Sequence, residues 1–117
     1  NELLQKASQS ERKRYAYDLR HSKEDNSQRM LNALMPETEV PIHRHEDTSE
    51  TTVCIYGRLD VIFFDLLSGG TFEESSRVSL DSANGSYGLQ IPKGAWHTVE
   101  AKEPSVIFEG KDGRYQG

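Results

Sequence analysis

A chain of 117 residues is long enough for one domain and too short for two. Its net charge of −5 argues against an electrostatic nucleic-acid binder, and its single cysteine, Cys54, excludes an intrachain disulfide. No apolar run approaches the roughly 18 residues that cross a bilayer as a helix.

Residues 1–9 contain helix formers with Leu3, Leu4 and Ala7 on one side, which predicts a short helix. Arg12-Lys13-Arg14 follows Glu11 and precedes Asp18, Glu24 and Asp25, so the basic run reads as a solvated segment. The stretch from Arg14 to Leu19 alternates as an edge strand does, and 21–27 reads as loop. Gln28 to Met35 fits a helix through Met30, Leu31, Leu34 and Met35, or a short strand ending before Pro36. Glu50 to Tyr56 and Leu59 to Leu67 are β-rich strands, joined by a tight Gly57-Arg58 connection. Ser68-Gly69-Gly70 marks a turn, Thr71 to Leu80 returns, and 81–85 turns again. Leu89 to Ile91 leads into Pro92-Lys93-Gly94, and the spacing predicts a last hairpin from His97 to Ala101 and Ser105 to Glu109. Eight to ten short strands without alternating helices favour a barrel or sandwich. A hydrophobic fraction of 34% is low for a globular protein and suits a small barrel with polar outer strands. Cys54, inside an apolar strand pattern, reads as a small buried hydrophobe.

Against this background three of the four histidines form a pattern. His43 and His45 are two apart, so in an extended chain both rings face one point. Glu50 follows after a short turn, and His97 closes the stretch Pro92-Lys93-Gly94-Ala95-Trp96-His97. Three imidazoles and a carboxylate suit one divalent transition metal ion, with Zn, Fe, Mn, Ni and Co all compatible. His21 stands outside the group. The absence of cysteine ligands favours an open site over a closed structural zinc site. Six-coordination would leave two positions for water or substrate.

His43-x-His45-(x)4-Glu50-(x)6-Gly57 resembles the first cupin motif, and Pro92-x-Gly94-x-x-His97 resembles the core of the second. The resemblance implies an all-β fold, an antiparallel double-stranded β-barrel (jelly roll) with the metal in its mouth and a short N-terminal helical segment. It turns Gln28–Met35 into a strand and divides the single domain into an extension, 1–27, and a barrel, 28–117. Arg29-Met30-Leu31-Asn32-Ala33-Leu34, Pro41-Ile42-His43-Arg44-His45, Gly94-Ala95-Trp96-His97-Thr98-Val99 and the tail from Phe108 to Tyr115 are similar to the WbuC-type cupin metalloproteins. That likeness implies a context of bacterial surface-polysaccharide (O-antigen) metabolism and no particular reaction. Cupins also imply pairing into a homodimer through edge strands.

Around the metal, Arg29 and Asn32 lie on the strand leading to the histidines, and Arg29 suits either a ligand's carboxylate or phosphate or a core carboxylate such as Glu109. Tyr56 and Phe64 are candidates to line the cavity, Glu109 is a candidate acid or base, and Trp96 reads as packing. Two functions stand open. One is a metal-dependent enzyme acting on a small oxygen-rich molecule such as a sugar or nucleotide sugar. The other is a non-catalytic module that holds a sugar or acid on the metal. Neither a nucleic acid nor a membrane is expected as partner. A cytoplasmic location fits the lone cysteine and the lack of a visible signal peptide, while a first residue of Asn1 rather than Met leaves a trimmed start open.

Overall fold

The computed structural model describes residues 2–20 and 27–112. In chain order these form α1 (Glu2–Gln9), β1 (Arg14–Asp18), β2 (Ser27–Leu34), β3 (Glu50–Tyr56), β4 (Arg58–Leu66), β5 (Phe72–Asp81), a 3-10 turn (Ser82–Asn84), β6 (Gly88–Ile91), β7 (Trp96–Ala101) and β8 (Ser105–Asp112). His21 and the end of the tail, residues 113–117, lie outside the described residues. None of the described helices is long and apolar enough to cross a membrane.

The strands build two antiparallel sheets, ordered β1-β2-β8-β3-β6 and β5-β4-β7. Every strand from β2 to β8 sends a side chain between them: Leu34, Cys54, Leu59 and Val61, Leu80, Ile91, Ala101 and Ile107 form one buried core. Alternation is the cause, because each of these strands must turn one face inward. This is the cupin-type jelly roll with a short N-terminal helix. Cys54 is part of that core, and burial pushes its thiol above the usual value. On the outside of the five-stranded sheet, Leu3, Leu4 and Ala7 of α1 cover Ala33, Val106 and Tyr15. Each residue at 2 to 9 therefore serves a helix with one apolar side, as its sequence requires.

Two short connections, one of them the expected last hairpin, are crossings between sheets. Gly57 joins β3 of the larger sheet to β4 of the smaller, and 102–104 carries the chain back from β7 to β8. The two crossings lock together. Arg58 N–H donates to Ser105 Oγ at 3.0 Å, Ser105 Oγ–H donates to Arg58 O at 3.1 Å, and Lys102 N–H donates to Arg58 O at 2.9 Å. Gly57 adopts φ +89°, and a Cβ there would press on the Pro104 carbonyl and lie 2.8 Å from Ser105 Cα. A short link between two strands says that they are close in sequence, not that they pair. The β4–β5 connection through Gly69-Gly70 is a true hairpin.

Candidate metal centre

His43 and His45 sit on the connection between β2 and β3, and His97 is the second residue of β7. One antiparallel bridge holds the two segments: His43 N–H donates to His97 O at 3.0 Å and His97 N–H to His43 O at 2.8 Å. Gly94, at φ +82°, lets the chain turn after Pro92 so that its N–H reaches His45 O at 2.8 Å. The three imidazoles converge, with a ligand atom of each lying within 4.8 Å of the others.

Backbone carbonyls orient two of the rings. Nδ1 of His43 lies 2.9 Å from Pro41 O, and Nδ1 of His97 lies 2.9 Å from Ala95 O. A carbonyl only accepts, so each Nδ1 carries the proton and each Nε2 keeps a free lone pair. This second tier of contacts is what a ligating imidazole needs. Burial first, with the neighbouring His43 adding to it, lowers the pKa of His97 and favours its neutral, ligating form.

The carboxylate is arranged differently from the rings. Glu50 Oε1 lies 3.1 Å from His45 Nε2 and 3.5 Å from Lys111 Nζ, while Thr52 Oγ1 donates to Glu50 Oε2 at 2.9 Å. His45 Nε2 and Glu50 Oε1 are both buried, yet neither completes a well-angled hydrogen bond. Two adjacent buried polar atoms left without a well-angled hydrogen bond are the pattern a cation would satisfy. The ligand set thus fits a divalent ion, with His43, His45 and His97 as the converging group and Glu50 beside His45. Burial works to raise the Glu50 carboxyl, but the facing His45 imidazole, Glu109, the Lys111 ammonium and Thr52 together hold it down to about 2. Glu109 goes the other way. Burial first, then the charge of Glu50, pushes its carboxyl up to about 8, and Asn32 Nδ2 donates to its Oε1.

A cavity of about 110 Å³ opens over this group, lined by His43, His97, Glu50, Glu109, Asn32 and Arg14, with Leu34, Val40, Val99 and Ile107 as its apolar wall. Asn32 and Glu109 are therefore at the cavity, whereas Arg29, Tyr56 and Phe64 do not line it. Arg29 and Asn32 are three apart on β2, so they face opposite sides of the sheet; Arg29 lies beside Gly110 on a shallow outer groove. Tyr56 is 55% exposed at the end of β3, and Phe64 packs on Phe72 at 6.2 Å. Trp96 is a packing residue, 5.1 Å from the Phe72 ring.

Two contributors went unseen in the sequence. Arg14, read there as solvated, lines the cavity because Tyr15 and its neighbour Leu3 pack on the outer face and alternation turns Arg14 inward. The signal was the Arg14-Tyr15-Ala16-Tyr17 alternation, masked by two preceding basic residues. Lys111 reaches Glu50 from the facing position on β8; nothing local distinguishes it from a surface lysine.

The family model described as Domain of unknown function (DUF6016) matches residues 1–76, more than half of the chain. The chain belongs to the DUF6016 family. The match takes in His43, His45 and Glu50 of this DUF6016 chain and stops before His97. No curated protein matches it. Among solved structures, it is similar to a cupin-2 domain containing protein from Shewanella frigidimarina, at 22% identity and TM-score 0.62 over 84% of this chain and 79% of that one. KdgF from Halomonas sp. is similar at 14% identity and TM-score 0.66, over 87% and 82% of the two chains. An oxalate oxidase in complex with the substrate analogue glycolate gives 15% identity and TM-score 0.68 over 94% of this chain and 56% of that one, just over half its length. At these identities the likeness establishes the cupin fold, into which the three-histidine cluster of the DUF6016 chain fits as a metal centre.

Proposed function

We propose that this protein binds one divalent transition metal ion through His43, His45 and His97, with Glu50 as the fourth ligand, and that the ion holds a small oxygen-rich molecule in the cavity. The observation that carries the reading is the convergence of three imidazoles, two of them with Nδ1 tied to a carbonyl, beside a buried Glu50 oxygen that completes no well-angled hydrogen bond. When bound, such an ion polarises an oxygen or acidifies a water.

The chain's own residues limit the ligand. A volume of about 110 Å³ is roughly that of three or four liquid waters, below the 300 Å³ or more of pockets that enclose drug-sized molecules. A hydroxy acid fits inside; a sugar or nucleotide sugar would insert one end and leave the rest outside. Arg14 supplies positive charge at the wall for an acidic group. Glu109, whose carboxyl burial pushes above the ordinary range, is placed to donate a hydrogen bond or a proton to a substrate oxygen, and Asn32 donates to its carboxyl. A carboxylic acid kept neutral in the cavity supports the enzymatic form of the reading over a passive binding module. The similarity of Arg29–Leu34, Pro41–His45 and Gly94–Val99 to WbuC-type cupins supports a sugar-derived ligand from surface-polysaccharide metabolism.

Metal analysis of protein purified without an affinity tag tests the site. We expect about one ion per chain, a sharp loss in His43→Ala, His45→Ala and His97→Ala, and weaker retention in Glu50→Ala. Full stoichiometry in the double variant His43→Ala/His45→Ala would overturn the proposal. A screen of hydroxy acids and sugars with the recovered ion then separates turnover from binding alone.

A further inference from the structure

Arg44 lies between the two histidines of the ligand segment, so alternation sends it away from their rings. On that far side its guanidinium stacks over Trp96, 4.6 Å from the ring centroid. Trp96 holds the matching position on β7, immediately before His97 and turned away from the cavity. Phe72 anchors the indole at 5.1 Å, and Phe64 backs Phe72 at 6.2 Å, so the ring belongs to the three-stranded sheet. The ligand segment is less firmly built. Between Met35 and Ser49 it has no strand, and near the histidines its backbone is held by the His43–His97 bridge and the Gly94–His45 hydrogen bond.

We propose that the Arg44–Trp96 stack is a positioning clamp for the metal ligands. It closes from outside the same two segments that an ion would close from inside, and so keeps His43 and His45 facing His97 before the ion arrives. The inference rests on the metal reading given above. A guanidinium over an indole in a partly exposed setting is a favourable contact, and a site whose competent form is less populated binds more weakly in proportion. Arg44 also pairs with Glu46 at 2.8 Å, a contact along the segment itself that does not tie it to β7.

Titration of the metal-free full chain with Co(II), followed by visible absorption against a competing chelator, tests the clamp. Arg44→Ala should raise the Co(II) dissociation constant about two- to fivefold. Arg44→Lys should recover part of the loss, since it keeps the charge and gives up the planar stack. Glu46→Gln should bind as wild type does. Trp96 is the sole tryptophan, so its emission reports the stack directly and should move to longer wavelength in metal-free Arg44→Ala. Melting of the metal-free variants separates positioning from plain stabilisation: a lower Tm with unchanged Co(II) affinity would overturn the clamp. Equal weakening by Glu46→Gln and Arg44→Ala would also overturn it, by assigning the effect to the ion pair. Wild-type protein that takes up no Co(II) would instead remove the metal reading itself.

Discussion

Two neighbouring carboxyls, Glu50 and Glu109, are driven apart in acidity by their surroundings, and this sets how the metal-free protein responds to pH. Glu109 is raised from 4.5 to about 8, so the folded state holds a proton that the unfolded chain has already released. Its contribution is complete below the unfolded value and disappears as pH rises through about 8. His97 is lowered from 6.5, so its contribution is complete above that value and declines as pH falls toward the folded one. With chelator present, Tm should therefore fall as pH rises from about 6.5 to 8. Glu109→Gln, which fixes the neutral form, should flatten that alkaline limb. An equally steep limb in the variant would mean that another group releases the proton. At this scale the sequence carried the three-histidine cluster, because His43-x-His45 and Pro92-x-Gly94-x-x-His97 are local patterns. It did not carry Lys111, whose partner Glu50 lies on another strand, nor Arg14, whose inward turn depends on what covers Tyr15.

The strands themselves were legible for the same reason, since β-branched alternation and glycine turns are local. Which strands pair was not. Gly57-Arg58 has the length of a hairpin turn, yet the chain there leaves one sheet for the other, and Leu59 and Val61 join the core between them. Gly57 gains its meaning from a segment nearly fifty residues later, where Pro104 and Ser105 fill the space a side chain would need. Gly57→Ala must adopt a positive φ and displace that corner, at a combined cost of about 2–5 kcal/mol. Chemical denaturation should show this loss in full, whereas Gly70→Ala, with a positive φ but open space around it, should lose only the smaller backbone part. Equal losses at both positions would show that the two corners do not press on each other.

At the scale of the molecule, an ion that binds only the folded state stabilises it by mass action. Free metal at about a hundredfold over its dissociation constant contributes about 2.7 kcal/mol, or roughly 10 °C in Tm for a chain of this size. Imidazoles ligate only when neutral, so the difference between holo and chelated curves should persist near neutrality and shrink below about pH 6. A difference that stayed constant down to about pH 4 would contradict histidine ligation. The order β1-β2-β8-β3-β6 also has a bearing on how the protein is made. The ribosome delivers β2, His43 and His45 well before β8, which must slot between β2 and β3; the 70 residues from Met35 to Pro104 take roughly 4 to 14 seconds to emerge. Until residue 97 emerges the nascent chain carries a His-x-His pair without His97, and until β8 emerges it carries a sheet with its middle strand missing. Each round of translation thus exposes an incomplete histidine cluster and two open strand edges, the kind of edge that templates pairing with another chain, until β8 closes the sheet.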